Sequence, residues 1–311
     1  MKVAITGGAG FIGSHVVDQM VAAGHTVAVL DTMPPHRPDV QYCELDITDS
    51  AQTINATRGC EVVFHLAAVS NVDEVLASPI AAVEANILGT ANVWEASRRN
   101  GVSRTVLAST VWVYAGATGN SPLDEEAPFH LPQAGHLYTS SKIASELLVH
   151  NYADLYDVPF TILRYGIPYG PRMREALVIP RFVEMALDGR AITINGDGLQ
   201  FRNYVYIEDM ALAHELCLSD SGRNQVFNLE GAEPVSVRRI TETIARVLDR
   251  PVAVDFLPDR PGDFKGREVS AAKAKKILGW EATTSFEDGL RRYVDWYRGK
   301  WLDRDFDQSV M

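Results

Sequence analysis

The sequence predicts an α/β protein in which a doubly wound parallel sheet is followed by a smaller C-terminal α+β part. Three observations carry that expectation. Short apolar strands alternate with amphipathic helices through the first half; a glycine turn joins the first strand to the first helix; and the alternation breaks up after residue 166. Such alternation implies right-handed crossovers, with ligands bound beyond the carboxyl ends of the strands.

The opening "MKVAITGGAGFIGSHVVDQMVAAGHTVAVLD" reads as strand, glycine turn, helix and strand. Val3 and Ile5 belong to a buried parallel strand, where apolar runs replace strict alternation. Gly7, Gly10 and Gly13 follow at GxxGxxG spacing. Gly7 permits the tight turn, Gly10 lets backbone approach a pyrophosphate, and Gly13 lets the helix pack closely on its strand. The helix then points its N-terminal N–H groups at the phosphates. Val16, Val17, Met20 and Val21 share one side of it, and Gly24 ends it. The second strand, "TVAVL", ends on Asp31. A carboxylate there accepts hydrogen bonds from the adenosine ribose and repels a 2′-phosphate. This is the pattern of a Rossmann-type dinucleotide-binding domain, and it selects NAD over NADP.

Further strands come in turn: "VQYCELD", ending at Asp46, then "EVVFHLAA", "RTVLAST" and "PFTILRY". Helices are expected over residues 80–99 and 138–156. Thr6, Asp31, Ala67, Ser109, Thr110 and Arg164 all fall at or near strand carboxyl ends. Beyond them "LVIPRFVEMALDG" and "EDMALAHELCL" read as helices, "AITING" and "QVFNLEG" as strands. "SVRRITETIARVLD" reads as a helix capped by Ser236, and a final helix covers residues 286–301. The expected division is a Rossmann domain over 1–166 and a mainly substrate-binding domain over 167–311, with some segments returning to the first. The site is expected in the cleft between the two lobes.

Composition narrows the function classes. Hydrophobic residues make up 46% and charged residues 22%, ordinary values for a soluble globular chain. A net charge of −11 with no Lys/Arg run argues against a phosphate-backbone binder, so no nucleic-acid partner is expected. Cys43, Cys60 and Cys217 are scattered and show neither CxxC nor Cys/His ligand spacing, so reduced thiols and no metal are expected. "MKVAIT" runs straight into a strand and no apolar segment reaches membrane-spanning length. A cytoplasmic protein with no membrane partner is expected.

The segment "HLYTSSK" sets a phenol and an ammonium four residues apart, Tyr138 and Lys142. Residues i and i+4 share a helical face, so the two groups lie side by side. A free phenol has a pKa of about 10, and a neighbouring cation lowers it, giving a usable base near neutrality. The pair joins "TGGAGFIG", the strand-end Asp31, "LDITD", "HLAA", "NILGTANVWEAS", "STVWVYA", "YGPR", "GDGLQFRNYVYIEDMA", "RPGD" and "KAKKILGW". In this combination the chain resembles the extended short-chain dehydrogenase/reductase family, and within it the nucleotide-sugar 4-epimerases. The resemblance covers almost the whole chain.

That resemblance implies a catalytic group of Thr110, Tyr138 and Lys142, with Lys142 also bonding the nicotinamide ribose. It implies an NAD site formed by Gly7, Gly10, Phe11, Ile12, Gly13, Asp31, Asp46, Ile47, Leu66, Ala67, Ala68, Asn86, Ser109, Tyr138, Lys142 and Tyr165. A nucleotide-sugar substrate, UDP-linked, would meet Thr110, Tyr138, Ile167, Arg172, Arg174, Arg202, Arg260 and Asp263. Arg202 and Arg260 match the family's diphosphate-binding arginines. The helices over 80–99 and 138–156 pair subunits in many relatives, which implies a homodimer.

Members of the family oxidise a sugar carbon and differ in the fate of the ketone. The 4,6-dehydratases carry Asp-Glu after the catalytic Thr, and the uronate decarboxylases carry a Glu there; here those positions are Val111 and Trp112. The expected reaction is therefore oxidation at C4, rotation of the ketone and return of hydride to the other face. Two departures bear on substrate. Ile167 stands where many relatives have an Asn, and Arg172 and Arg174 either meet a C6 carboxylate or form a solvated loop. The rival readings are a 4-ketoreductase and a non-catalytic NAD-binding sensor.

Overall fold

The computed structural model describes residues 1–117, 122–258, 266 and 268–308. In chain order the strands and helices are β1 (Lys2–Thr6), α1 (Phe11–Ala22), β2 (Thr26–Asp31), β3 (Gln41–Glu44), α2 (Ser50–Ala56) and β4 (Val62–His65). Next come α3 (Val72–Ala77), α4 (Pro79–Val83), α5 (Gly89–Asn100), β5 (Arg104–Thr110), α6 (Leu137–Tyr156) and β6 (Phe160–Tyr165). Then β7 (Ile167–Tyr169), α7 (Val178–Leu187), β8 (Ile192–Asn195), β9 (Phe201–Tyr206), α8 (Ile207–Leu216) and β10 (Gln225–Leu229). The last are β11 (Pro234–Ser236), α9 (Val237–Leu248), β12 (Val254–Leu257), α10 (Ala272–Leu278) and α11 (Phe286–Gln308).

The chain forms two compact units. The first comprises Met1–Gly166, Met210–Leu229 and Val269–Glu281; the second comprises Ile167–Asp209, Glu230–Glu268 and Ala282–Met311. The first unit holds a seven-stranded sheet in the order β10-β6-β5-β4-β1-β2-β3, every neighbouring pair parallel. Chain order runs outward from β1 in both directions, so the switch in winding lies between β1 and β4. Ligands of doubly wound sheets collect at that point. Leu30, Val63, Trp94, Leu107, Val149 and Ile162 belong to one buried cluster, each at 1% exposure or less. Burying a side chain of this size contributes about 1.5–3 kcal/mol, so this packing fixes the strand ends that carry the site.

The second unit has a three-stranded sheet, β11-β9-β7, and a two-stranded pair, β12-β8. Ser236 caps helix α9, its Oγ accepting from Arg239 N at 3.1 Å, as the cap signal predicts.

Several elements differ from the sequence expectation. The third strand stops at Glu44, two residues before Asp46. The helix expected over 80–99 contains a π turn at Glu84–Leu88, which places Asn86 inward at 2% exposure. An apolar periodicity that continues through such a turn does not reveal it. "QVFNLEG" is β10, the seventh strand of the main sheet, paired parallel with β6. Among the described residues, no helix is long and apolar enough to cross a membrane, and no group of His, Cys, Asp or Glu could hold a metal.

Candidate active site

The switch point is built from backbone. Gly7 has φ +71°, and a Cβ there would lie 2.5 Å from Ala67 N, so the loop after β1 is pressed against the loop after β4. At Gly13 a Cβ would fall 2.0 Å from Gly7 O, which makes glycine obligatory for the approach of α1. Gly10 differs: its added Cβ would meet only Gly7 O, at 3.3 Å. Packing within the protein does not demand glycine there, and its absence of a Cβ leaves the backbone open to an approaching phosphate. No side chain caps α1, and its first turn has no acidic residue, so Phe11, Ile12 and Gly13 present their N–H groups to an anion. These features fit a dinucleotide pyrophosphate.

Asp31 Oδ2 accepts from Ala9 N at 2.9 Å and Oδ1 from Met33 N at 3.1 Å. The carboxylate therefore braces the glycine loop. Asp46 Oδ1 accepts from Thr48 N at 2.9 Å in an Asx turn, and Ile47 packs under Gly89. Leu66 N donates to Thr6 O at 3.1 Å and Ala67 N to Thr6 Oγ1 at 3.4 Å, which fixes the stretch leading into Ala68. Asn86 accepts from Val69 N at 2.8 Å and donates to Val69 O at 2.9 Å and to Ser141 Oγ at 3.0 Å. Its amide holds the loop after β4 onto α6.

Helix α6 carries the Tyr138–Lys142 pair. A core helix buries an apolar stripe, but this one buries Ser141, Lys142, Ser145 and Glu146 together with Ile143 and Val149. Lys142 is 4% exposed; its Nζ donates to Ala108 O at 2.9 Å and lies 5.9 Å from the Tyr138 ring centroid. Burial lowers the Lys142 ammonium to about 8, while the Glu146 charge opposes the shift. Ala108, Ser109 and Thr110 end β5, so the i, i+4 pair is tied to the strand that carries Thr110. Thr110 Oγ1 accepts from Trp112 N at 3.2 Å, and Ser109 Oγ donates to Glu146 Oε1. Tyr165 pairs with Thr110 across β5 and β6, and its hydroxyl meets His214 Nε2 at 2.5 Å. Buried His65 bridges Thr6 Oγ1 and Thr90 Oγ1, with its pKa lowered to about 3 by burial and by Lys142, so it stays neutral.

The remaining expected residues belong to the second unit. Ile167 pairs with Tyr204, and Arg202 lies opposite Val235, so both stand on the β11-β9-β7 sheet. Arg202 Nη1 donates to Phe201 O at 2.7 Å. Arg172, half-buried, has left-handed backbone at φ +68°, and Arg174 is exposed in the same loop. Arg260 and Asp263 lie outside the described residues.

The sequence profile of the NAD dependent epimerase/dehydratase family matches residues 3–229. The chain belongs to that family. A UDP-glucuronate 4-epimerase of Thermodesulfobacterium geofontis is 32% identical over 94% of this chain and 94% of its own. The dTDP-glucose 4,6-dehydratase 1 of Escherichia coli is 30% identical over 97% and 95%. A crystal structure of the UDP-glucose 4-epimerase of Thermotoga maritima with UDP-glucose superposes with a TM-score of 0.89 at 31% identity. That match covers 97% of this chain and 100% of the other. Epimerases and a dehydratase thus stand at similar distance, and membership in the NAD dependent epimerase/dehydratase family does not decide between them. Residues at the site must.

Two groups escape a reading of motifs in this family. Glu146 and Arg164 pair deep beneath Lys142, although Glu146 continues the i, i+4 series of Tyr138 and Lys142. His136 caps α6, its Nδ1 accepting from Thr139 N at 3.4 Å, and its ring lies 5.9 Å from Trp112 and 6.2 Å from Tyr138. The brace made by Asp31 gives its removal two effects. Asp31→Ala is expected to narrow the preference for NAD over NADP and to weaken both, because the Ala9 and Met33 bonds go too. Each is worth about 1.5–3 kcal/mol as a bond to a charged group. Calorimetric titration of both cofactors checks this; equal affinity of the unaltered protein for NAD and NADP would contradict the role given to Asp31.

Proposed function

We propose that this protein is a nucleotide-sugar 4-epimerase that works with bound NAD. One observation carries the reading. The Tyr138–Lys142 pair is tied to the strand end bearing Thr110, while the two positions after Thr110 are Val111 and Trp112. Expulsion of water needs an acid beside the sugar, and these side chains offer none. Bound NAD, which the glycine turn of Gly7, Gly10 and Gly13 and the strand-end Asp31 would hold, would supply a reversible hydride acceptor for C4 of the sugar.

The protein's own groups handle the proton and the anchor. Thr110 Oγ1 holds the C4 oxygen by a hydrogen bond. Tyr138 Oη, kept as a phenolate by the Lys142 ammonium, takes the proton from that oxygen as the ketone forms and becomes a phenol. After the ketone has turned, Tyr138 Oη returns the proton to the oxygen in its new orientation. Arg202, with Arg260, holds the nucleotide diphosphate while the sugar moves, using charge-assisted bonds about twice as strong as neutral ones. Substrate binding is assigned to the second unit through Ile167, Arg172 and Arg174.

The substrate is a UDP-hexose or UDP-uronate, a reading supported by the names of the relatives and by Arg172 and Arg174. Leu88 at the π turn and Leu147 on α6, 48% and 54% exposed, support a homodimer through these helices. The free, exposed Cys43 suits a reducing cytoplasm. The test is incubation of purified protein with UDP-glucose, UDP-galactose, UDP-glucuronate and dTDP-glucose, scored by NMR. C4-inverted product without added cofactor is expected. A 4-keto-6-deoxy product would make it a dehydratase, and net reduction that consumes NADPH would make it a ketoreductase.

A further inference from the structure

A buried ionic network lies directly beneath the catalytic group, and the proposed reaction does not use it. Glu146 is 1% exposed and Arg164 4%. Arg164 Nε donates to Glu146 Oε1 at 3.0 Å and Nη2 to Oε2 at 2.7 Å, a two-pronged pair. Ser109 Oγ donates to the same Oε1. From the far side, Arg164 Nη1 donates to Tyr114 Oη at 2.6 Å, which donates to Asn228 Oδ1 at 2.8 Å. Asn228 N in turn donates to Glu125 Oε1 at 2.7 Å. The chain links α6, β5, β6 and β10 in a single run of hydrogen bonds.

Stability alone is a poor reason for such a network. A buried ion pair replaced by well-packed apolar side chains is often neutral or stabilising, because desolvation offsets most of the attraction. Position supplies a better one. Tyr138, Lys142 and Glu146 are successive i, i+4 residues of α6. Lys142 grips Ala108 O and Glu146 grips Ser109 Oγ, so two consecutive residues of β5, next to Thr110, are clamped by two consecutive turns of the helix. We propose that Glu146 is a positioning residue for the catalytic helix: its carboxylate, fixed by Ser109 and Arg164, sets the register of α6 on the end of β5 and is the counter-charge of Lys142. The counter-charge part concerns Lys142 itself; its link to turnover rests on the epimerase reading above.

The other ionisable groups around the clamp leave that task to Glu146. On α6 there is Tyr138, the base itself. From β4 comes His65, neutral above a pKa of about 3. From β6 come Arg164, already engaged by Glu146, and Tyr165, whose pKa burial raises well above 10. Tyr114, raised to about 12 mainly by burial, and half-exposed Glu125 lie on the far side of Arg164. Burial works against the Lys142 cation, and Glu146 is the charge that works for it.

The test reads Lys142 directly, without any sugar. Lysine is labelled with ¹³C at Cε and titrated by NMR in the NAD-loaded protein, with the Lys142→Met spectrum assigning one resonance of seven. In the unaltered protein Lys142 should titrate near 8. Glu146→Gln should lower that midpoint by about one unit or more, since the opposing charge is gone. Ser109→Ala, which keeps the carboxylate, should leave it in place. If Glu146→Gln does not fold with Arg164 unpaired, the double variant Glu146→Gln/Arg164→Gln removes both charges and should shift the midpoint in the same direction. In either variant the alkaline limb of kcat should move to lower pH by the same amount, with KM little changed. A Lys142 midpoint that stays put in the glutamine variants overturns the proposal, whatever their activity or melting temperature. Absence of epimerase activity with the Lys142 shift intact would overturn the epimerase reading and leave this one standing.

Discussion

Replacing Tyr138 by phenylalanine is expected to remove most of the turnover while leaving fold and NAD binding in place. The substitution deletes one oxygen from a partly exposed ring at the start of α6 and leaves the ring contact with His136 available. The acceptor for the C4 hydroxyl proton disappears. General acid–base groups contribute about 10²–10⁴-fold, so kcat should fall within that range and KM should change little. Steady-state kinetics beside NAD titration and a melting curve check this. Near-native turnover in this variant would remove Tyr138 from the mechanism.

Lys142→Met is expected to lower turnover at neutral pH by about a hundredfold and to move the pH–rate profile towards alkaline pH. Charge sets the sign. The Lys142 cation is present below its pKa of about 8 and fades as pH rises through it. While present, it stabilises the Tyr138 phenolate. With methionine no cation exists at any pH, so the phenol returns towards its free value of about 10 and a smaller fraction is ionised at neutrality. Stability should move the other way or not at all. A lysine whose pKa is depressed on folding opposes folding below that pKa, and methionine removes this penalty at the cost of the bond to Ala108 O. Kinetics from about pH 6 to 10, run beside thermal unfolding, separate lost chemistry from lost fold. A profile that superposes on the unaltered enzyme's would contradict the role given to Lys142.

The parts legible in the sequence were those written locally. Gly7, Gly10 and Gly13 announce a strand–turn–helix because their spacing is that of one turn and one helix start. Asp31 is placed by the strand it ends, and Tyr138 with Lys142 by one helical turn. Parts that depend on packing were not legible in this way. Glu146 and Arg164 meet across a helix–strand contact, and nothing in the residues between them records it. Strand β10 reads as a strand in "QVFNLEG", but an apolar run does not say which strand it will pair with, and its place beside β6 emerges only from the folded sheet. The π turn at Glu84–Leu88 was hidden because the helical periodicity on either side continues through it. For the same reason Asn86 read as a mid-helix residue, although the turn aims it at Val69 and Ser141.

The most direct measurement tracks the hydrogen at C4. Purified protein is given a UDP-hexose or UDP-uronate carrying deuterium at C4, and the products are separated and weighed by mass spectrometry. An epimerase that oxidises C4 and restores the same hydride inside one site must keep the label on C4 of the inverted sugar. Retention of deuterium at C4 in the inverted product, with no cofactor added, is the predicted result. Loss of the label to solvent, or no inverted product from any sugar of the panel, would contradict the account.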